Sequence, residues 1–224
     1  MPCIVVTNAK GGVGKSTCSL LLSTEYAHRG YDVKLIDCDP NLSVTRYIRA
    51  CKKNSNQPSR LHLVAAQDKS TIVKTIRELD RDGTIIVVDL PGQASQLASR
   101  AISMADLVIT PTKPQKIDSE IGVETVALIA EEEDVLGRKI AHSFVLNETS
   151  AIQSKEARGV ERGLIDKKID LIKPNLMKRV PYSWLFTFGG DLRSVPDHPG
   201  KEKAIEEAGK FADATLERLA AILE

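Results

Sequence analysis

The decapeptide Asn8-Ala9-Lys10-Gly11-Gly12-Val13-Gly14-Lys15-Ser16-Thr17 stands between an apolar run, Ile4-Val5-Val6, and a segment with helical spacing. Glycines in that setting let backbone N–H groups turn inward around a polyanion. The start of the following helix adds further donors and the positive end of its dipole. Lys15 is then placed to reach the β- and γ-phosphates of a nucleotide, and the Ser16 hydroxyl to ligate Mg2+. The strict pattern G-x-x-x-x-G-K-[ST] wants glycine at position 9, where this chain has Ala9; the string fits K-G-G-x-G-K-[ST] instead. Glycine is about 7% of residues on average, so chance produces that string in such a chain on the order of once in ten thousand. A second lysine, Lys10, stands at the loop entrance, although one lysine serves the phosphates.

Carboxylates follow at two other apolar runs. Val33-Lys34-Leu35-Ile36 leads into Asp37-Cys38-Asp39-Pro40-Asn41, and Thr84-Ile85-Ile86-Val87-Val88 leads into Asp89-Leu90-Pro91-Gly92. At the carboxyl end of a strand in an open α/β sheet, such groups face the ligand crevice. In isolation, Asp37 and Asp39 serve equally well as loop caps and solvating groups. Asp89, after a run of β-branched residues, has the Walker B form, whose use is to hold Mg2+ through water. Asn147 ends the run Phe144-Val145-Leu146. Its amide can donate to and accept from an adenine edge, though a strand-end Asn is as often a turn residue.

These groups need strands that end side by side. Leu61–Val64 and Leu107–Ile109 complete the set of short apolar runs, and such runs suit strands covered on both faces, as in a parallel sheet. Between them, residues 15–29 carry Leu20, Leu21, Thr24 and Ala27 on one side and stop at Gly30, and residues 118–133 begin at Asp118, read as an N-cap. The spacing predicts one α/β domain over 1–224, mostly parallel, with Gly189–Gly200 as its longest surface loop. With 42% apolar residues it has enough to fill a core. No uncharged apolar run is long enough to cross a membrane, and the N-terminus lacks the basic-then-apolar pattern of a secretory signal, so the expected location is cytoplasmic. The four cysteines form no C-x-x-C pair and read as reduced, partly buried side chains. The net charge is only +1, so any nucleic-acid contact must come from a local patch.

Lys10-Gly11-Gly12-Val13-Gly14-Lys15-Ser16 resembles the deviant Walker A signature of the ParA/MinD class of P-loop ATPases. The resemblance implies ATP and Mg2+ as ligands and an ATP-sandwich homodimer in which Lys10 contacts the nucleotide of the opposing subunit. Gly11, Gly12, Val13, Gly14, Lys15, Ser16 and Thr17 would form the phosphate cradle. Asp37-Cys38-Asp39-Pro40-Asn41 resembles switch I, with Asn41 where the class has Gln. By that likeness Asp39 positions the attacking water and Asp37 lies near the Mg2+ shell with Ser16 and Asp89. Asp89-Leu90-Pro91-Gly92 resembles switch II, with the Gly92 N–H sensing the γ-phosphate. Asn147 would meet adenine, and Val180-Pro181-Tyr182 resembles the strand followed by proline whose backbone lines the base pocket. Ala105–Pro111 and Gly190–Val195 match further segments, so the resemblance covers nearly the whole chain.

Within the class the chain is most similar to small ParA-type (ParF-like) plasmid partition ATPases without an N-terminal helix-turn-helix extension. Cysteines beyond Cys51, which an iron–sulfur relative would need, are missing. The last helical segment, about 201–223, carries Ile205, Ala208, Ala212, Leu216, Leu219 and Leu223 on one stripe. Its polar face (Glu202, Glu206, Glu207, Asp213 and Glu217 against Lys201, Lys203, Lys210 and Arg218) is slightly acidic, which disfavours a membrane partner. The chain is too short for two ATPase modules.

The resemblance implies binding to non-specific duplex DNA on the nucleoid and stimulation by a small centromere-binding adaptor. Residues 155–179 hold eight basic side chains (Lys155, Arg158, Arg162, Lys167, Lys168, Lys173, Lys178, Arg179) against four acidic ones. With Arg193, Lys201 and Lys203 they make a candidate DNA face for phosphate contact; an ordinary solvated helix face carries the same residues. The alternatives are a related ATPase that positions a protein assembly or assists conjugative transfer, and a weakly hydrolysing nucleotide-dependent scaffold.

Overall fold

A computed structural model describes residues 2–39, 43–64, 68–93 and 95–223. Strands β1 (Cys3–Val6), β2 (Asp32–Asp37), β3 (Leu61–Val64), β4 (Thr84–Asp89), β5 (Leu107–Thr112) and β6 (Ala141–Leu146) form one sheet in the order β3-β2-β4-β1-β5-β6. Every neighbouring pair is parallel. The helices are α1 (Lys15–His28), α2 (Ser43–Asn54), α3 (Ile72–Leu79), α4 (Gln96–Ile102), α5 (Lys116–Leu136), α6 (Lys155–Asp166), α7 (Val180–Phe188) and α8 (Lys201–Leu223).

The strands are apolar throughout because both faces are covered. Alternate residues go to opposite layers, as a period of two requires. Ile4 and Val6 join Val33, Leu35, Ile85 and Val87 under α1, α2, α7 and α8. Cys3 and Val5 join Ile36, Ile86 and Val88 under α3, α4 and α5. Helix α1 is wedged between the sheet and α8, so residues 18–27 are buried on all sides rather than on one stripe. The Tyr26 hydroxyl ties it to the Ala212 carbonyl of α8 at 3.2 Å. Gly30, at φ 91°, ends α1 as expected. The four cysteines are buried and form no disulfide.

β1 is central, between β4 and β5: the chain passes from β1 to β2 on one side and later crosses from β4 to β5 on the other. That makes the carboxyl end of β1 a switch point, where a crevice opens. Pro111 sits in β5 beyond the last register pair with β1, Val6–Ile109, so its missing N–H leaves no β1 carbonyl unmet there.

Three expectations are corrected. Helix α5 starts one turn earlier than read, with Gln115 at the N-cap, so Asp118 lies in the first turn rather than capping it. Val180-Pro181-Tyr182 follows no strand. It opens α7, where proline suits the first turn because its missing N–H would have no helical partner. The segment 189–200 does connect α7 to α8, but it is packed rather than a plain surface loop. Leu192 and Val195 are buried, and a Cβ on Gly189 would lie 2.4 Å from the Cys51 nitrogen. Among the described residues no helix is long and apolar enough to cross a membrane.

Candidate functional site

The loop after β1 runs straight into α1 through Gly14, which takes φ 93° and carries no capping side chain. The first-turn N–H groups therefore lack a side-chain acceptor and face the crevice. Two asparagines hold the loop in shape. Buried Asn8 accepts from the Lys10 N–H at 2.8 Å and donates to the Pro111 carbonyl at 2.9 Å. Buried Asn147 donates to the Val13 carbonyl at 2.8 Å. A Cβ on Gly14 would fall 2.0 Å from the Asn147 amide nitrogen, so glycine is required there both by backbone and by space.

A cavity of about 380 Å³ lies over this loop, lined by Gly11, Gly12, Gly14, Lys15, Ser16, Thr17, Asp39, Gly92 and Phe186 among others. Lys15 is 5% exposed and its amine donates to the Lys10 carbonyl across the cradle at 2.8 Å. Burial lowers its pKa, opposed by the charges of Asp89 and Asp39. Gly92 meets the loop from the other side: a Cβ there would lie 2.8 Å from both the N and Cα of Gly11.

The carboxylates separate into two depths. Asp39 lines the cavity, and its N–H donates to Asp37 Oδ1 at 3.1 Å. Asp37 and Asp89 lie behind, as register partners at the ends of adjacent β2 and β4. Burial raises Asp37, and pushes Asp89 up to about 7 against the Ser16 and Ser19 hydroxyls that favour its ionised form. Ser19 donates to Asp89 Oδ1 at 3.1 Å, while the buried Oδ2 has no hydrogen-bond partner. A buried oxygen left so beside Ser16 fits the outer shell of a hydrated Mg2+. Among the described residues no group of three or more His, Cys, Asp or Glu could hold a metal alone, so such an ion would rely on phosphates for much of its shell. Pro40 and Asn41 of the switch I likeness lie outside the described residues.

A second cavity, about 480 Å³, adjoins the first and is lined by Thr17, Asn147, Met177, Arg179, Val180, Tyr182 and Phe186 among others. Asn147 lines it, with one of its amide hydrogens committed to Val13. Pro181 is buried and does not line this cavity; its neighbours Val180 and Tyr182 do. Phe186 borders both cavities and was not anticipated, because an aromatic in a short apolar helix looks like core. Glu148 was missed too. It borders both cavities at φ 53°, and it pairs with Lys113 at 3.2 Å.

The basic residues divide. Lys155, Arg158 and Arg162 form one exposed stripe along α6, at spacings of three and four. Lys178 and Lys203 are also exposed. Lys173 is exposed but ion-paired with Glu161. Three are engaged internally. Arg193 grips buried Glu25 with two hydrogen bonds, 2.7 and 3.0 Å. Arg179 pairs with buried Glu207 at 2.9 Å. Lys201 donates to the Val195 carbonyl at 2.7 Å and lies 3.4 Å from Asp197. Lys167 and Lys168, the remaining two, are exposed at the end of α6. A DNA face spanning all eleven residues is therefore not what the fold builds; the accessible part is centred on α6.

A parallel sheet with a glycine-rich, lysine-bearing loop at its central strand, and carboxylates at the ends of β4 beside it and of β2 beyond, defines a P-loop nucleotide-binding fold. The model of the CobQ/CobB/MinD/ParA nucleotide binding domain matches residues 4–164, and the chain belongs to that family. It is 44% identical to Protein ParA of Rhizobium radiobacter over 221 residues, 98% of each chain. Two solved structures share the fold. An ATP complex of a Cyanothece McdA variant superposes with a TM-score of 0.75 at 15% identity, covering 98% of this chain and 96% of that one. Cobyrinic acid a,c-diamide synthase of Mycobacterium smegmatis, with an ATP analogue and magnesium bound, gives 0.74 at 16% identity, covering 99% and 96%.

Proposed function

We propose that this chain is a ParA-type DNA partition ATPase. It binds ATP with Mg2+, closes face to face with a second copy, coats duplex DNA without sequence preference, and hydrolyses ATP when a centromere-binding adaptor engages it. The observation that carries this reading is the 44% identity to Protein ParA of Rhizobium radiobacter along nearly the whole chain.

The site's chemistry is positioning and charge stabilisation. Gly11 to Thr17 cradle the phosphates through backbone N–H groups and the start of α1. Lys15 leaves the Lys10 carbonyl for the β- and γ-phosphates, and Gly92 donates its N–H to the γ-phosphate. Ser16 would ligate Mg2+, with Asp89 and Asp37 as the carboxylates behind it. When bound, the ion neutralises charge developing on the phosphate oxygens. Asp39, at the cavity wall, orients the attacking water, and Lys10 crosses to the partner's nucleotide. Asn147, Val180, Tyr182 and the wall around Phe186 hold the base. On α6, Lys155, Arg158 and Arg162 meet DNA phosphates, which needs no base readout.

Sedimentation with ADP, then with a non-hydrolysable ATP analogue, each with and without plasmid DNA, tests the reading. Dimerisation and DNA co-sedimentation only with the analogue, weakening steeply with salt, support it. A nucleotide-dependent dimer indifferent to DNA overturns the partition function and favours positioning of a protein assembly. A nucleotide-bound monomer leaves only a scaffold or regulator.

A further inference from the structure

Helix α8 buries Ala204, Ala208, Phe211, Ala212, Thr215 and Leu219 against the core. Glu207 lies on this same stripe, three residues after Ala204 and four before Phe211, and is 7% exposed. The sequence reading placed it on the polar face; the structure turns it inward. A carboxylate within an apolar layer is costly unless it is fully hydrogen-bonded. Here it gathers three donors. Its Oε1 accepts from the Met177 N–H at 2.7 Å and the Tyr182 hydroxyl at 2.9 Å, and its Oε2 accepts from Arg179 at 2.9 Å.

Met177, Arg179 and Tyr182 all line the 480 Å³ cavity beside the phosphate loop. Residues 177–179 belong to neither helix nor extended strand; on the sheet side they are held by one isolated parallel bridge, Met177 to Thr149, with the Lys178 N–H donating to the Thr149 carbonyl at 2.9 Å. From the α8 side, the Glu207 carboxylate ties together Met177, Arg179 and Tyr182. Because Glu207 holds Arg179 by charge and geometry, it raises the pKa of the guanidinium, and together with burial it raises that of the Tyr182 hydroxyl.

We propose that Glu207 is a positioning residue for nucleotide recognition: from α8 it sets the wall against which the purine nucleoside end of the nucleotide rests, and it has no part in holding the phosphates. This rests on the reading of the two cavities as nucleoside and phosphate subsites. It also reassigns Arg179 from the DNA face to the nucleotide site.

The test measures binding of ATP and of inorganic tripolyphosphate, both with Mg2+, to the full chain and to Glu207→Gln. Glutamine keeps an oxygen for Met177 and Tyr182 but sets an amide donor against Arg179, so the wall loosens while the phosphate loop is untouched. ATP affinity should fall at least tenfold with tripolyphosphate affinity unchanged within twofold. Equal weakening of both ligands would show a general structural role and overturn the proposal, as would unchanged ATP affinity. Tyr182→Phe removes one donor with little change of shape and should show the same selective loss, about threefold, even if the glutamine variant fails to fold. Failure of the unaltered chain to bind either ligand overturns the nucleotide site itself, whereas unaltered ATP binding by both variants overturns only the role of Glu207.

Discussion

The amine of Lys10 is ion-paired with the carboxylate of Asp118 in the first turn of α5 of the same chain. The lysine side chain is 32% exposed and the aspartate 1%, so the pair sits at the lip of the site with its acidic half buried. If Lys10 reaches a partner's nucleotide, as proposed, it is already occupied within its own subunit, and closing the dimer would exchange one anion for another. Asp118→Asn keeps the shape and removes the charge. Such a partly exposed pair contributes about 1 kcal/mol, and both subunits exchange one, so ATP-dependent dimers should form at about thirtyfold lower protein concentration. Sedimentation velocity across a dilution series reads this. Lys10→Ala should abolish the dimer with ATP binding retained; a normal dimer from that variant removes the role given to Lys10.

Asp39 is the one carboxylate of switch I that lines the phosphate cavity, while Asp37 lies behind it. The two should therefore fail differently. Asp39→Ala should bind ATP and dimerise but release phosphate about a hundredfold more slowly, the usual scale for losing a group that orients or deprotonates the nucleophile. Turnover at the normal rate, measured as phosphate release with DNA and adaptor present, would show that another group handles the water.

Gly92 packs so closely on Gly11 that an added methyl would meet its backbone and come within 3.0 Å of the Lys15 amine. Gly92→Ala should remain folded, losing about 1–3 kcal/mol to overpacking, and should bind ATP at least tenfold more weakly because the two loops are pushed apart. Isothermal titration beside a urea melt separates the two effects.

The strands, the glycine-rich loop between β1 and α1 and the carboxylate ending β4 were legible in the sequence because each depends on local pattern. Ile4-Val5-Val6 is apolar wherever it sits, and Gly14 is needed for a left-handed turn whatever lies beyond it. What stayed hidden depends on long-range pairing. Nothing near Asn147 announces that its amide will brace Val13, 134 residues away. Glu207 looked solvated because charge outweighs position in a helical pattern; its spacing from Ala204 and Phe211 carried the contrary signal. Arg193 counted as a free cation until Glu25, 168 residues earlier, was seen to claim it. Proline misled at Val180-Pro181, where the same residue that ends a strand also opens a helix.

The division of basic residues has a measurable consequence. Arg158→Ala and Arg162→Ala, on the exposed stripe of α6, should leave the melting curve unchanged. Each should reduce the salt dependence of DNA binding by about 0.9 in the log–log slope, the share of one phosphate contact. Arg193→Ala should do the reverse. It strips both hydrogen bonds from Glu25, which is 1% exposed, and an unsatisfied buried carboxylate costs about 2 kcal/mol. Its DNA affinity per folded molecule should match the unaltered chain. If all three variants weaken DNA binding alike, the DNA face extends beyond α6.

Acid stability should carry the mark of His142 on β6. Burial lowers the pKa of its imidazole below the ordinary 6.5, against the opposing pull of Asp170 and Glu133. Its Nε2 is buried without a partner, and the ring meets Phe144 edge-on at 5.5 Å. The folded chain therefore takes up this proton less readily than the unfolded chain does. Its contribution to stability is complete above pH 6.5 and is lost as pH falls from there through the lower folded value, at up to about 1.4 kcal/mol per pH unit within that window. His142→Phe keeps an aromatic ring in contact with Phe144 and removes the titration. Urea melts between pH 7.5 and 5 should show the unaltered chain losing more stability than the variant, with the curves parallel above pH 7. Parallel curves throughout would mean that the imidazole takes its proton equally well folded and unfolded.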